Sequence, residues 1–136
     1  MASNLKYSVA ARNAQQDALS AQIGASAKIR VYSGSQPADV GTAISGQTLL
    51  VEFIGNAGGF APAASGGVLT ASTIAAINAV AAGTAAFFRI FKSDGTTAVI
   101  DGSVGTAAAD LILDNTNIAN GQNCSITSLT ITRGNA

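Results

Sequence analysis

The chain has no histidine, no tryptophan, one glutamate, one cysteine and two prolines in 136 residues. Each scarcity removes a class of chemistry. Without histidine, Ser-His-Asp and Cys-His nucleophilic catalysis are excluded in their usual forms, as are imidazole metal sites. With Cys124 alone, no disulfide can form within the chain. Cys124 reads as a small buried apolar residue in a strand. Charge is scarce as well. Charged residues make up 10% of the chain, against about 25% in an average soluble protein. The seven basic residues balance seven acidic ones and lie scattered, without the basic stripe of a nucleic-acid binder. No nucleic-acid partner is expected.

Long apolar runs are missing too, although hydrophobic residues reach 48% and mean hydropathy is +0.36. A spanning helix needs about 20 consecutive apolar residues. The nearest approach, residues 74–88, is shorter, mostly Ala, and interrupted by Asn78, Gly83 and Thr84. No membrane partner is expected. The first residues, Met1-Ala2-Ser3-Asn4, have no apolar signal-like stretch, so synthesis in a cytoplasm is expected. A weakly charged surface on a chain of this size suits permanent contacts with other subunits.

What is present is an Ala- and Gln-rich opening followed by strand patterns. Residues 6–23 read as a helix stopped by Gly24. At 100° per residue, Leu5, Val9, Leu19 and Ile23 fall on one side, interrupted by Arg12 and Gln16. Ala10, Ala11, Ala14, Ala18 and Ala21 fall on the other. One reading lays this helix on its own sheet. The other makes residues 1–24 an arm that docks on a neighbouring subunit, with Leu5, Tyr7, Val9, Ala14, Ala18, Leu19 and Ile23 as candidate partner-binding residues. Residues 25–136 then form the main domain.

Beyond Gly24 the period becomes two. Ile29 and Val31 alternate with Lys28, Arg30 and Tyr32 as in a half-buried strand. In 48–54, Leu49, Val51 and Phe53 are assigned to one face and Leu50, Glu52 and Ile54 to the other, which predicts cover on both sides. The Gly/Ala/Pro loop 55–67 is long enough to be an interaction loop. Residues 68–82 are read as two strands joined at a bend. Residues 86–100 form a hairpin turning at Asp94-Gly95, with Phe87, Phe88 and Phe91 in the core. Turns are placed at Asp101-Gly102 and Asn120-Gly121, with a short strand at 110–114 between them. In the last strand, 124–132, the apolar phase slips between Ile126 and Leu129, which predicts a bulge or a crossing between sheets. The fold class is mostly β: a β-sandwich or jelly-roll-like domain preceded by an N-terminal α-helical arm.

Nothing in the inventory assembles into a catalytic or cofactor site. Glu52, alternating within an apolar strand, reads as a polar residue at a sheet edge or subunit contact, with Arg89 as a candidate partner. Asp94 and Asp101 precede glycines, as turn residues do. The run Asp114-Asn115-Thr116-Asn117 lacks the Gly spacing and closing Glu of a calcium loop. Gly102-Ser103-Val104-Gly105-Thr106 has no Lys and is not a phosphate loop. No catalytic residue, cofactor or metal is assigned.

Several phrases carry a resemblance when taken in order. They are Ala10-Ala11-Arg12-Asn13-Ala14 with Asp17-Ala18; Ile29-Arg30-Val31-Tyr32-Ser33-Gly34-Ser35-Gln36-Pro37-Ala38; Phe88-Arg89-Ile90-Phe91-Lys92-Ser93-Asp94-Gly95; Asp101-Gly102-Ser103-Val104-Gly105-Thr106; Ala109-Asp110-Leu111; and Ser125-Ile126-Thr127-Ser128-Leu129-Thr130-Ile131-Thr132. Together they resemble a family of small structural proteins encoded by tailed bacteriophages and prophages. The stretch 74–82 is more Ala-rich than that family leads one to expect. The resemblance implies a virion component, assembled in the host bacterial cytoplasm. Within that class the expectation is a capsid decoration, or cement, protein with no enzymatic activity, bound as a homotrimer to the lattice of the major capsid protein. The alternatives are a neck or tail component, and a receptor- or carbohydrate-binding module on the virion surface. The last would need exposed aromatics, and these are only 5% of the chain.

Overall fold

The computed structural model describes residues 4–133. It contains one helix, α1 (Val9–Ile23), and eleven strands: β1 (Lys28–Ser33), β2 (Thr48–Ile54), β3 (Val68–Thr70), β4 (Ile77–Asn78), β5 (Gly83–Thr84), β6 (Phe87–Phe91), β7 (Ala98–Gly105), β8 (Leu111–Leu113), β9 (Asn117–Ile118), β10 (Asn123–Cys124) and β11 (Ile126–Thr132). Seven of them form one sheet in the order β2-β1-β6-β7-β8-β11-β3. The others form two-stranded ribbons, β10-β4 and β5-β9. This is the expected mostly-β domain with an N-terminal helix.

All pairings are antiparallel except β7 with β8, which run parallel at Val104–Leu111 and Gly105–Ile112. The tight link between those two is closed by reciprocal bonds. Ser103 N and Oγ both donate to Asp110 Oδ2 at 3.0 Å, and Asp110 N donates to Ser103 Oγ at 3.1 Å.

Residues from both ends of the large sheet share one apolar cluster. Ile29, Val31 and Phe53 come from one end, and Leu69, Leu111 and Leu129 from the other. The sheet therefore curls until its two halves wall a common core. Two bulges feed that core. Val31 pairs with Val51 but Tyr32 pairs with Leu49, so Leu50 and Val51 both point inward and both are fully buried. The alternation expected for 48–54 is thus broken at Leu50, and Leu49 turns outward with Tyr32. In β11 the expected slip is present, because pairing steps from Ile126–Leu113 to Ser128–Ile112.

Two local expectations need correction. The helix begins at Val9, not at residue 6, because the Ser8 hydroxyl accepts from Ala11 N at 3.1 Å as an N-cap. Asp101-Gly102 is not a turn but the middle of β7. Gly102 serves close approach there: a Cβ would stand 2.5 Å from the ring of Phe88. Phe88, on β6, is 1% exposed and cannot swing clear. Gly102→Ala is therefore expected to destabilise the fold by about 1–3 kcal/mol through overpacking, read as a lower urea midpoint with an unchanged slope.

Candidate interaction surfaces

Strand β6, Phe-Phe-Arg-Ile-Phe, is buried at every position. Phe88 and Ile90 enter the core, and Phe87, Arg89 and Phe91 lie on the opposite face. A charged side chain buried on that face must be fully satisfied. Arg89 Nε donates to Asp101 Oδ1 at 2.6 Å and Nη2 to Oδ2 at 2.8 Å, a bidentate pair. Its remaining reach is taken by the loop above, with Nη1 on Thr42 O at 2.8 Å and Nη2 on Asp39 O at 3.2 Å. The two side chains are 3% and 5% exposed. The hydrogen bonds it donates to Asp101 raise the Arg89 pKa above its ordinary value, against the opposing effect of burial.

Arg30 lies directly across from Arg89 in the β1–β6 register. Repulsion between them is relieved on the far side, where Arg30 Nε donates to Glu52 Oε2 at 2.6 Å. Glu52, Arg30, Arg89 and Asp101 thus form one row across four strands, neutral as a whole. The partner of Glu52, on the edge strand β2, is Arg30 and not the candidate Arg89. Burial opposes the charge on Arg30, but Glu52 outweighs it and its pKa is raised. The Arg30 guanidinium lies 4.6 Å over the Phe91 ring. Tyr32 stacks on Phe87 with centroids 5.2 Å apart. Burial pushes the Tyr32 phenol up, partly countered by Arg30. The loop 40–44 roofs these residues and leaves a cleft of about 330 Å³.

The N-terminal helix is fastened to its own domain. Gln16 is buried, and its Nε2 donates to Ile131 O at 2.6 Å and Gly67 O at 3.2 Å. Asn13 Oδ1 accepts from Gly67 N, and Asp17 Oδ1 accepts from Ala64 N. Arg12 Nη1 donates to Arg133 O at 3.3 Å. A Cβ on Gly67 (φ +78°) would meet Arg133 O at 2.8 Å and Arg12 Nη1 at 2.9 Å, so this seat needs glycine. The helix holds the loop 55–67 by hydrogen bonds to its backbone, and Phe60 anchors that loop in the core. The expected interaction loop finds its contacts inside the chain.

Comparison with family models, with curated proteins and with solved structures finds no match for this chain.

The seven candidate partner-binding residues divide. Ile23 is 1% exposed and belongs to the core of its own domain, with Leu19 packed against it. These two are corrected from partner-binding to internal packing, because the helix lies down on β3 and the end of β11 rather than reaching away. Tyr7 is half-buried, with the Arg133 guanidinium 5.4 Å over its ring. Leu5 is 62% and Val9 49% exposed, and Ala14 and Ala18 face outward. Phe87, Phe88 and Phe91 are buried as expected, so none of them offers a stacking platform to a sugar. Sequence reasoning missed the fastening residues Asn13, Gln16, Asp17 and Ser20, whose hydroxyl donates to Ala61 O at 3.5 Å. Their recurrence at three- and four-residue steps was the available signal.

Each of the seven carboxylates carries a structural bond. Asp17, Glu52, Asp101 and Asp110 are described above. Asp39 Oδ1 accepts from Thr42 N and Oγ1. Asp114 Oδ1 accepts from Ser125 N at 3.4 Å. Asp94 accepts from Thr96 N, Thr97 N and Thr97 Oγ1 at 2.9, 2.9 and 2.6 Å. Among the described residues no three His, Cys, Asp or Glu side chains converge as a metal site would need.

Removing Arg89 leaves Asp101 buried without its counter-charge and two loop carbonyls without donors. Arg89→Ala is expected to cost about 3–5 kcal/mol, and Arg89→Met with Asp101→Leu to recover part of that, both by urea denaturation. At the hairpin turn, the Thr97 and Thr96 bonds hold the Asp94 carboxyl at about 2 instead of 3.8. A depressed pKa stabilises the fold above the unfolded value, and that contribution disappears as pH falls through the folded one. An NMR titration of the Asp94 carboxyl should show a midpoint near 2, whereas one near 3.8 would contradict the turn geometry.

Proposed function

We propose that this chain is a non-enzymatic structural protein of a bacteriophage virion, a decoration protein that binds and stabilises the lattice of the major capsid protein as a homotrimer. The observation that carries the reading is the seating of α1. Asn13, Gln16, Asp17 and Ser20 on it are bonded to the chain's own backbone. Its outward side carries a row of small apolar residues, Ala10, Ala14, Ala18 and Ala21, flanked by the exposed Gln15 and Gln22, with Val9 and Leu5 exposed at the N-terminal end. A surface helix normally turns its apolar side inward. A smooth apolar side held rigidly outward suits flat contact with another protein.

The chemistry supports the same reading. Every carboxylate is engaged in holding a turn, a loop or a cross-strand pair, and each of the two best-buried charges neutralises the other. The phrases shared with small phage structural proteins give the context in which such a surface would be used. A decoration protein stabilises its lattice by mass action, since it binds the assembled shell and not dispersed subunits. Three linked copies add avidity through effective concentration.

Copy number tests this directly. Quantitative mass spectrometry of purified particles should find the chain at a ratio approaching one per capsid subunit. A ratio of a few per cent (on the order of a neck or tail ring) would assign it to the neck or tail, and its absence from particles would refute the virion reading.

A further inference from the structure

The fourteen charged residues are distributed unevenly. None lies between Glu52 and Arg89, and none between Asp114 and Arg133. These two charge-free tracts are far apart in sequence, yet the fold pairs them with each other three times. Strand β3 pairs with β11, β4 with β10 and β5 with β9. Backbone bonds continue the contact between them, from Ala79 N to Gln122 O at 2.8 Å and from Ala85 N to Thr116 O at 2.9 Å. The two ribbons are therefore built entirely from uncharged residues, and the β3–β11 pairing, which α1 covers, is uncharged as well.

The side with the ribbons also carries two of the most exposed large apolar side chains, Val80 at 61% and Ile77 at 38%. Around them the polar groups are neutral amides and hydroxyls. Asn123 Nδ2 donates to Asn78 Oδ1 at 3.1 Å, and Thr84 Oγ1 to Asn117 Oδ1 at 3.3 Å. The two ribbons have two residues per strand and no third strand. Ile118 and Cys124 of the ribbons, and Ala79 and Ala85 beside them, are packed in the core, which leaves the outward side, with Val80 and Ile77, open to cover.

We propose that this charge-free side is where copies of the chain meet, each presenting the same ribbons to its neighbour. The argument for that occupant is electrostatic. A partner bringing charges to this surface would lose their hydration and find no counter-charge. The matching surface must itself be free of charge, and this chain supplies one. Around a three-fold axis the same patch of each copy meets its equivalents, where a patch with net charge would repel its own copies. Charge depletion is the compositional mark of interface centres. The inference deepens the proposed function by naming its self-contact. It uses a different face from the outward side of α1, so the two stand or fall separately.

The test uses the full chain with Val80→Lys and Val80→Glu variants. Val80 is exposed, so both should keep the wild-type circular dichroism and melting temperature. The wild type should sediment as an oligomer whose mass does not change with added salt, because no charge pair holds it. Each variant alone should fall to the 13.4 kDa single chain. An equimolar mixture of the two should re-associate, now in a salt-sensitive way, and Ala14→Lys on the helix should leave the oligomer intact. A monomeric wild type, an oligomer that survives both Val80 changes, or a mixture that stays monomeric would overturn the inference. With copy number near that of the capsid subunit, each of these would leave the virion reading standing and remove this contact, and a monomeric wild type would remove the homotrimer with it.

Discussion

Strand β6 sets the terms for the rest of the structure, because it is buried on both faces and carries a charge on one of them. Phe88 and Ile90 need a core on one side. Phe87, Arg89 and Phe91 need cover on the other. The Arg89 guanidinium can be dry only if its donors are matched, and the match comes from three places at once: Asp101 on the neighbouring strand and the carbonyls of Asp39 and Thr42 in the roofing loop. Losing one partner would leave an unpaired buried group, so strand register and loop position are fixed together. The Gly102 contact tightens the same constraint, since the Phe88 ring occupies the space a side chain would need.

The helix obeys a related rule. Where α1 covers the loop 55–67 and the end of β11, the amides of Ala64 and Gly67 lack a backbone partner and carbonyls such as that of Gly67 can take a second donor. Asn13, Gln16 and Asp17 supply the missing groups. A polar helix side is thereby made the packed side, and Ile23 and Leu19 add apolar contact at its C-terminal end. The arrangement has an external consequence: small apolar residues are left outside on a rigid support.

Much of the architecture was legible from local pattern. Alternation at Ile29 and Val31, the aromatic run 87–91, the Asp94-Gly95 turn and the phase slip before Leu129 are all properties of a few adjacent residues. The misread features depend on partners remote in the chain. Leu50 turns inward because of a bulge against Val31 and Tyr32. Gly102 looks like a turn until Phe88 is placed above it. Arg89 and Arg30 sort between Asp101 and Glu52 only once the strand order is known. Of the candidate contact residues, Leu5, Val9, Ala14 and Ala18 are exposed as a contact would require. Leu19 and Ile23 share a helical face with Gln16, and Gln16 looked like an interruption of an apolar stripe when it is the residue that seats the helix. The charge-free tracts were visible as composition, but their pairing is a fact of topology.

In this account the carboxylates and the arginines of the sheet are matched within the fold, and assembly falls to the neutral ribbons and the outward side of the helix. Hydrogen exchange of the chain, free in dilute solution and bound in purified particles, tests that division most directly. Binding should add protection across residues 75–84 and 115–124 and along α1, with the loop over Arg89 unchanged. New protection concentrated at residues 38–44, with the ribbons exchanging as fast as in the free chain, would mean that the charged sheet face is the one that assembles, and would contradict the account.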